Sequence, residues 1–150
     1  MKIKKIIIVP LIAFLLVLSG CQTRMSYTFN IETGEQIKVK LNTTQGQKLL
    51  QSDGRFSVND KNQNVQTNGI FILPDIFNEF FETIKLEQHS QILEESENDR
   101  YKYIFYKVND ESEWIYLIQP KHCKTGIILI NTTSQESAKE VFDLLEFELQ

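Results

Sequence analysis

A histidine next to a cysteine is the first pair in the sequence whose types could support nucleophilic catalysis. His122 precedes Cys123, and Lys121 and Lys124 flank them. Neighbouring residues of an extended strand point to opposite faces, so this spacing does not bring the imidazole to the thiol. We therefore predict a thiol in a turn or at a strand end, and we assign no catalytic residue.

A run of Asp and Asn residues offers oxygen ligands of the kind that Ca²⁺ prefers. Asp60, Asn62 and Asn64 match the first three side-chain positions of an EF-hand loop. That motif requires glycine at its sixth position and glutamate at its twelfth, where this chain has Val65 and Phe71. The sequence therefore predicts a polar hairpin turn, with no metal and no cofactor.

Two groups of carboxylates could hold a cation or act as acid and base. One group shares a face of a predicted helix, which is also the pattern of a solvated face: Asp75, Glu79 and Glu82. The other lies in a polar segment: Glu94, Glu95 and Asp99. An envelope hydrolase could use the second group if two of its acids faced each other across a cleft.

Four aromatic residues on two predicted strands are the candidate ligand-binding residues. They are Tyr103, Tyr106, Trp114 and Tyr116. Tyr and Trp offer flat faces for stacking on sugars or on a partner's side chains, with a polar end that can hydrogen-bond. Both strands carry apolar residues on both faces, so either the protein's own helices or a ligand must cover them.

The N-terminus has the pattern of an export signal. Residues 1–5 carry three positive charges, and the thirteen residues from Ile6 to Leu18 carry none. A helix of that length spans about 20 Å, whereas the hydrocarbon core of a bilayer is roughly 30 Å thick. Pro10 also interrupts the run. We predict that residues 1–20 are a removable signal and not a permanent membrane-spanning helix.

Leu18, Ser19, Gly20 and Cys21 follow this run and resemble the lipobox of bacterial lipoproteins. The resemblance implies that a peptidase cleaves between Gly20 and Cys21 and that the Cys21 thiol carries a diacylglyceryl group. Two acyl chains give a lasting membrane anchor, because each buried methylene contributes ~0.8 kcal/mol. The expected product is anchored to the outer face of the bacterial cytoplasmic membrane, with residues 21–26 as its tether.

Removal of residues 1–20 would make the remaining chain strongly acidic. The full chain has 16 Lys and Arg and 20 Asp and Glu; three of the basic residues lie in the signal, so the formal net charge changes from −4 to −7. Nucleic acid is therefore an unfavourable partner, and anionic lipid repels such a domain. With Cys21 lipidated, Cys123 has no intramolecular disulfide partner.

Hydrophobic patterning predicts one α+β domain over residues 27–150, with a mainly antiparallel sheet and two helices. Strands are predicted at 27–31, 37–41, 48–51, 56–58, 65–73, 91–93, 101–108, 114–118 and 126–130, with a polar turn at 94–100.

Each predicted helix has a start signal and an apolar stripe. The first begins at Pro74, and its predicted buried stripe is Ile76, Phe77, Phe80, Phe81 and Ile84. The second begins at a capping box in which Thr133 is the N-cap. Its predicted buried stripe is Ala138, Val141, Phe142 and Leu145.

Three segments carry a second resemblance. They are Phe29-Asn30-Ile31 before a glycine turn, Gly69-Ile70-Phe71-Ile72 ahead of the first helix, and Ser134 to Phe147 at the end. The layout from Tyr27 to Leu149 is similar to small PsbP/Mog1-like lipoprotein domains of Gram-positive bacteria. That resemblance implies a ligand or partner binder without a shared active site.

Three functional hypotheses follow. The anchor, the aromatic strands and the lack of a catalytic motif favour a non-enzymatic module that binds an envelope protein, a polymer or a small molecule. The alternatives are the acid-dependent envelope hydrolase and an immunity or inhibitor lipoprotein that occludes a toxin or an enzyme.

Overall fold

The structure is a computed structural model that describes residues 23–109 and 111–150, so Gly20 and Cys21 lie outside the described residues. Its elements in chain order are β1 (Arg24–Asn30), β2 (Gln36–Asn42), β3 (Lys48–Ser52), β4 (Arg55–Asn59), β5 (Val65–Ile72), α1 (Pro74–Ile84), β6 (Ser90–Glu97), β7 (Tyr101–Val108), β8 (Glu113–Pro120), β9 (Gly126–Asn131), α2 (Gln135–Leu144) and β10 (Leu145–Leu149). The predicted α+β class, with a mostly antiparallel sheet and two helices, is confirmed.

The strands form two sheets. Seven strands pair in the order β3-β4-β5-β9-β8-β7-β6, and three pair in the order β1-β2-β10. Every pairing between neighbours is antiparallel. Four antiparallel pairings lie between β5 and β6, and an even number of reversals leaves these two strands parallel. The connection from β5 to β6 contains α1. A crossover of this kind is right-handed in almost all proteins.

The inner face of the seven-stranded sheet is well covered. Its large side chains form one buried cluster with the three-stranded sheet and α2. Phe29, Val39 and Phe147 reach this cluster from the small sheet, because apolar residues alternate with polar ones along those strands. The inner face therefore holds the main core of the domain.

The outer face of the same sheet carries α1 alone among the described elements. Phe77, Phe81 and Ile84 pack onto Ile104 and Leu117 in a second, smaller cluster. Gly126 of β9 allows this close approach, because a Cβ atom there would lie 2.7 Å from the Phe77 ring and 2.9 Å from Ile72. An 11-residue helix covers only part of a face that is seven strands wide.

Two predicted segments differ from the structure at strand boundaries. The predicted turn at 94–100 is largely strand, because β6 continues to Glu97 and pairs with β7 through a bulge between Ile92 and Glu94. β6 is an edge strand, so its polar side chains can stay in solvent while its backbone pairs. β1 begins at Arg24, three residues before the predicted start.

The second helix starts later and ends earlier than predicted. Its N-cap is Ser134, whose Oγ accepts a hydrogen bond from the Ser137 amide at 3.0 Å, and not Thr133. Asn131 Oδ1 accepts the amides of Thr133 and Ser134 and holds both in the preceding turn. Leu145, predicted on the helical stripe, begins β10 instead.

Candidate functional site

Two of the four candidate aromatic residues belong to the core. Tyr103 and Tyr116 are 7% and 3% exposed. The Tyr116 ring stacks between Phe105 and Phe142, with ring centroids 4.1 and 4.2 Å apart. This corrects the expectation that Tyr103 and Tyr116 present flat faces to a ligand, because the rings of their own neighbours occupy those faces.

The other two candidates lie on opposite faces of the sheet. Trp114 packs against the inner cluster and has Lys107 Nζ 5.7 Å from its ring centroid. Tyr106 lies on the outer face beside the cluster under α1. Burial, with the nearby charges of Glu87 and Glu113, raises the pKa of Tyr106 to about 12. The four aromatic residues therefore do not form one binding site.

The three acids proposed for a hydrolase do not converge. Glu94 accepts a hydrogen bond from the Tyr103 hydroxyl on the inner side, whereas Glu95 pairs with Lys85 of α1 at 2.7 Å on the outer side. Asp99 lies in the turn after β6, 3.7 Å from Lys121 Nζ. An acid and base pair needs two carboxyl groups facing one cleft, and these three face different surroundings.

The Cys123 thiol is buried and carries no catalytic geometry with its neighbour. Burial and, to a smaller extent, the Glu35 carboxylate raise the pKa of Cys123 to about 11, so the unreactive thiol form dominates at neutral pH. Cys123 lies in the turn between β8 and β9, as predicted.

Glu35 joins the two sheets through this turn. Its carboxylate accepts hydrogen bonds from the amides of Lys124 and Thr125 at 2.7 and 2.8 Å and from the Thr125 hydroxyl at 2.6 Å. Partial burial alone would raise its pKa, but the bonds from Thr125, Lys124 and Thr33 outweigh burial, and the pKa of Glu35 falls below 4.5. This is a structural contact, because every bonded group belongs to the domain.

We expect Glu35→Gln to lower the free energy of unfolding by about 1–2 kcal/mol at pH 7, because an amide cannot accept all of these bonds. The contribution is present above pH 4.5 and is lost as the pH falls through the lowered pKa of Glu35. Urea unfolding from pH 3 to 7 measures it, with the exposed neighbour Glu32→Gln as control. An equal loss in both variants, or a difference that grows in acid, would contradict this role.

The Asp- and Asn-rich segment forms a turn. Asp60 Oδ1 accepts the amides of Asn62 and Asn64 at 2.8 and 2.9 Å, so the carboxylate serves its own loop. Among residues 23–109 and 111–150, no group of three or more His, Cys, Asp or Glu is placed to hold a metal ion.

The outer face of the large sheet contains the surface that sequence analysis missed. One registered row crosses all seven strands on this face, and pairing places its members side by side. The row is Leu50, Ser57, Asn68, Ile130, Ile115, Tyr106 and Ile92. Only Tyr106 of this row belongs to the cluster that α1 covers. Leu50 and Ile92 at its two ends are 45% and 39% exposed.

One flank of α1 adds to this surface. Leu73, Ile76 and Phe80 are 40%, 39% and 42% exposed, although Ile76 and Phe80 were predicted to be buried. At 3.6 residues per turn these three share one side of the helix. The opposite side faces β6 and β7, because Lys85 pairs with Glu95 and Lys102 Nζ lies 4.2 Å from the Phe81 ring centroid. The apolar flank therefore lies on the side of α1 away from Lys85, where it is exposed to solvent.

We call this region the outer apolar surface. It consists of Leu50, Ile70, Leu73, Ile76, Phe80 and Ile130. A shallow cleft of about 680 Å³ lies at its hairpin end, lined by Leu50, Arg55, Ser57 and Asn68 among others. Exposed leucine, isoleucine and phenylalanine side chains gathered on one side of a domain are typical of an interaction site.

Acidic side chains border the outer apolar surface along α1 and near Tyr106. Asp75 and Glu79 lie on the solvent side of α1, next to the exposed flank. Glu87 and Glu113 lie near Tyr106 of β7. Lys85 and Lys102, the described cations near α1, contact the Phe81 ring on its far side. The border along α1 and near Tyr106 is therefore mainly negative, whereas Lys48 and Arg55 make the hairpin end positive.

Comparison of the chain with family models, with curated proteins and with solved structures finds no match. Within the part of the chain that the structure describes, no helix is both long and apolar enough to cross a bilayer.

Proposed function

We propose that this protein is a lipid-anchored, extracytoplasmic binding module that holds a partner of the cell envelope on its outer apolar surface. The outer apolar surface is the observation that supports this function. Burying a fully exposed large apolar side chain contributes about 1.5–3 kcal/mol, and four side chains here are 39–45% exposed while Ile70 and Ile130 are half-buried. A partner that covers them recovers part of that free energy.

The anchor in this proposal is a diacylglyceryl group on Cys21, at the outer face of the bacterial cytoplasmic membrane. β1 begins at Arg24. Three residues reach at most about 10 Å, so a lipid on Cys21 would keep the domain close to the bilayer surface. The partner is then a protein or polymer that is itself within reach of that surface.

The same proposal includes the PsbP/Mog1-like fold family. The β1–β2 hairpin around a glycine turn and the Gly69-Ile70-Phe71-Ile72 strand ahead of α1 both support it. β10 departs from the resemblance, because the segment from Ser134 to Phe147 is a helix followed by a strand. A ligand-binding fold of this kind agrees with a non-enzymatic role and identifies no site residue.

Photo-cross-linking of the full, anchored protein in its own membranes tests the proposed site. A benzophenone amino acid replaces Ile76 on the outer apolar surface or, in a matched control, Leu149 on β10; these side chains are 39% and 42% exposed. We expect one defined adduct from position 76 and none from position 149. The same adduct from both positions, or none from either, would remove the basis for this site.

A further inference from the structure

We infer that the partner on the outer apolar surface presents a basic amphipathic helix, which lies beside α1 on the large sheet. This inference rests on the proposed function and specifies the chemistry of its partner. The shape of the surface, its charge and the net charge of the whole chain each support it.

The shape matches one additional helix. A sheet in an α+β domain is usually covered by helices that pack about 10 Å apart, and α1 is the one described helix on this face. Leu73, Ile76 and Phe80 follow a spacing of three and four residues, which forms a ridge that a second helix can pack against. The open part of the row extends from Leu50 to Ile130, because Ile115 beyond it is only 8% exposed; it spans three strand spacings, roughly 14 Å, or about 10 helical residues.

The charged residues around the outer apolar surface indicate which charge a partner should carry. Asp75 and Glu79 line the α1 side and Glu113 lies near the opposite edge, so Lys and Arg on the borders of a docked helix would meet acids on both sides. The hairpin end is the exception, because exposed Lys48 and Arg55 lie there on the same side of the hairpin as Leu50. An acidic helix would meet like charges along α1 and near Glu113.

A second copy of this chain and an anionic lipid surface fit less well. Residues 21–150 carry a formal net charge of −7, since 13 basic residues face 20 acidic ones after removal of the first 20 residues. Two copies, or one copy and an anionic bilayer, would therefore repel each other. A basic helix is attracted by the same charge.

Peptide binding to the mature protein tests this inference. The probe is a fluorescein-labelled 18-residue helix of leucine and lysine with one apolar face, and its comparison is the same helix with glutamate for lysine. We expect the basic peptide to bind at least tenfold more tightly in anisotropy titrations and to lose affinity as salt rises from 50 to 300 mM. Equal affinities, or tighter binding of the acidic peptide, would overturn the inference.

Matched variants locate the binding. Leu73→Ser and Leu149→Ser make the same change at side chains that are 40% and 42% exposed. Leu73 is the N-cap of α1, where serine is a preferred residue, so the fold is expected to survive. Leu73→Ser should weaken binding of the basic peptide at least tenfold, and Leu149→Ser less than twofold. Equal effects of the two changes would contradict the site.

Charge variants and other occupants complete the test. Glu79→Gln with Glu113→Gln should reduce both the affinity and its salt dependence. Self-association of the mature protein that Phe80→Ser abolishes, or vesicle binding with the same sensitivity, would instead assign the surface to a second copy or to lipid. A cross-link from position 76 to a partner without a basic helix would overturn this inference and leave the proposed function standing.

Discussion

Gly69→Ala is expected to destabilise the protein by about 1–3 kcal/mol, the usual cost of forcing an extra atom into a packed core. Gly69 pairs directly with Phe56 across β4 and β5. A Cβ atom at Gly69 would lie 2.1 to 2.4 Å from three atoms of the Phe56 ring. The ring cannot move aside easily, because Phe29, Phe71 and Phe147 pack around it with centroids 5.7 to 6.2 Å away.

A double-mutant cycle separates this mechanism from a general weakening of β5. Phe56→Ala should cost about 3–5 kcal/mol alone, and Gly69→Ala added to it should cost little more, because the clashing ring is gone. Urea unfolding of the two single variants and the double variant measures the coupling. Additive losses would mean that the glycine is needed for another reason.

Replacing Cys21 is expected to detach the protein from the membrane. Serine cannot form the thioether, so the variant carries no diacylglyceryl group. The loss is large, because every ten buried methylenes of an acyl chain contribute about 8 kcal/mol to membrane binding. Residues 1–20 should be replaced at the same time by an ordinary cleavable secretory signal, so that an uncleaved apolar segment does not hold the variant. The variant should then appear in the soluble extracytoplasmic fraction.

The matched control keeps Cys21 and the native first 20 residues and should remain in the membrane fraction. Its intact mass should equal that of residues 21–150 plus a diacylglyceryl group on Cys21. A native protein whose mass shows no lipid, or a Cys21→Ser variant that stays with the membrane under a cleaved secretory signal, would refute the anchor.

Local patterns in the sequence predicted the local structure well. Alternation of apolar and polar residues placed the β1–β2 hairpin, whereas apolar runs between polar turns placed strands β7, β8 and β9, which carry apolar residues on both faces. The predicted start of α1 at Pro74 is the observed first residue of the helix. The α+β class follows from such elements alone.

The misplaced segments depend on tertiary pairing. Leu145 and Phe147 alternate with Glu146 and Glu148, a strand pattern that also continues a helical stripe at Leu145, and pairing of β10 with β2 decides between the two. Glu94 to Glu97 has no apolar alternation, yet its backbone pairs with β7 as an edge strand. Neither partner can be identified from the segment itself.

The outer apolar surface could not be predicted without knowing how much of the sheet α1 covers. The apolar stripe from Ile76 to Ile84 is wider than one helix can bury against one sheet, and this width is the signal that could have revealed the exposed flank. The aromatic strands drew attention because Tyr and Trp are common at binding sites. Packing of α2 and the small sheet over the inner face buries Tyr103 and Tyr116 instead.

We expect the outer apolar surface, and not another exposed apolar position, to hold a partner at the membrane. The most direct measurement is the yield of photo-cross-linked product from position 76 relative to position 149, in intact membranes and again with the purified protein alone. We expect at least five times more product from position 76 than from position 149 in membranes, and no defined product from either position with the purified protein. Equal yields from the two positions in membranes would contradict a partner site on this surface.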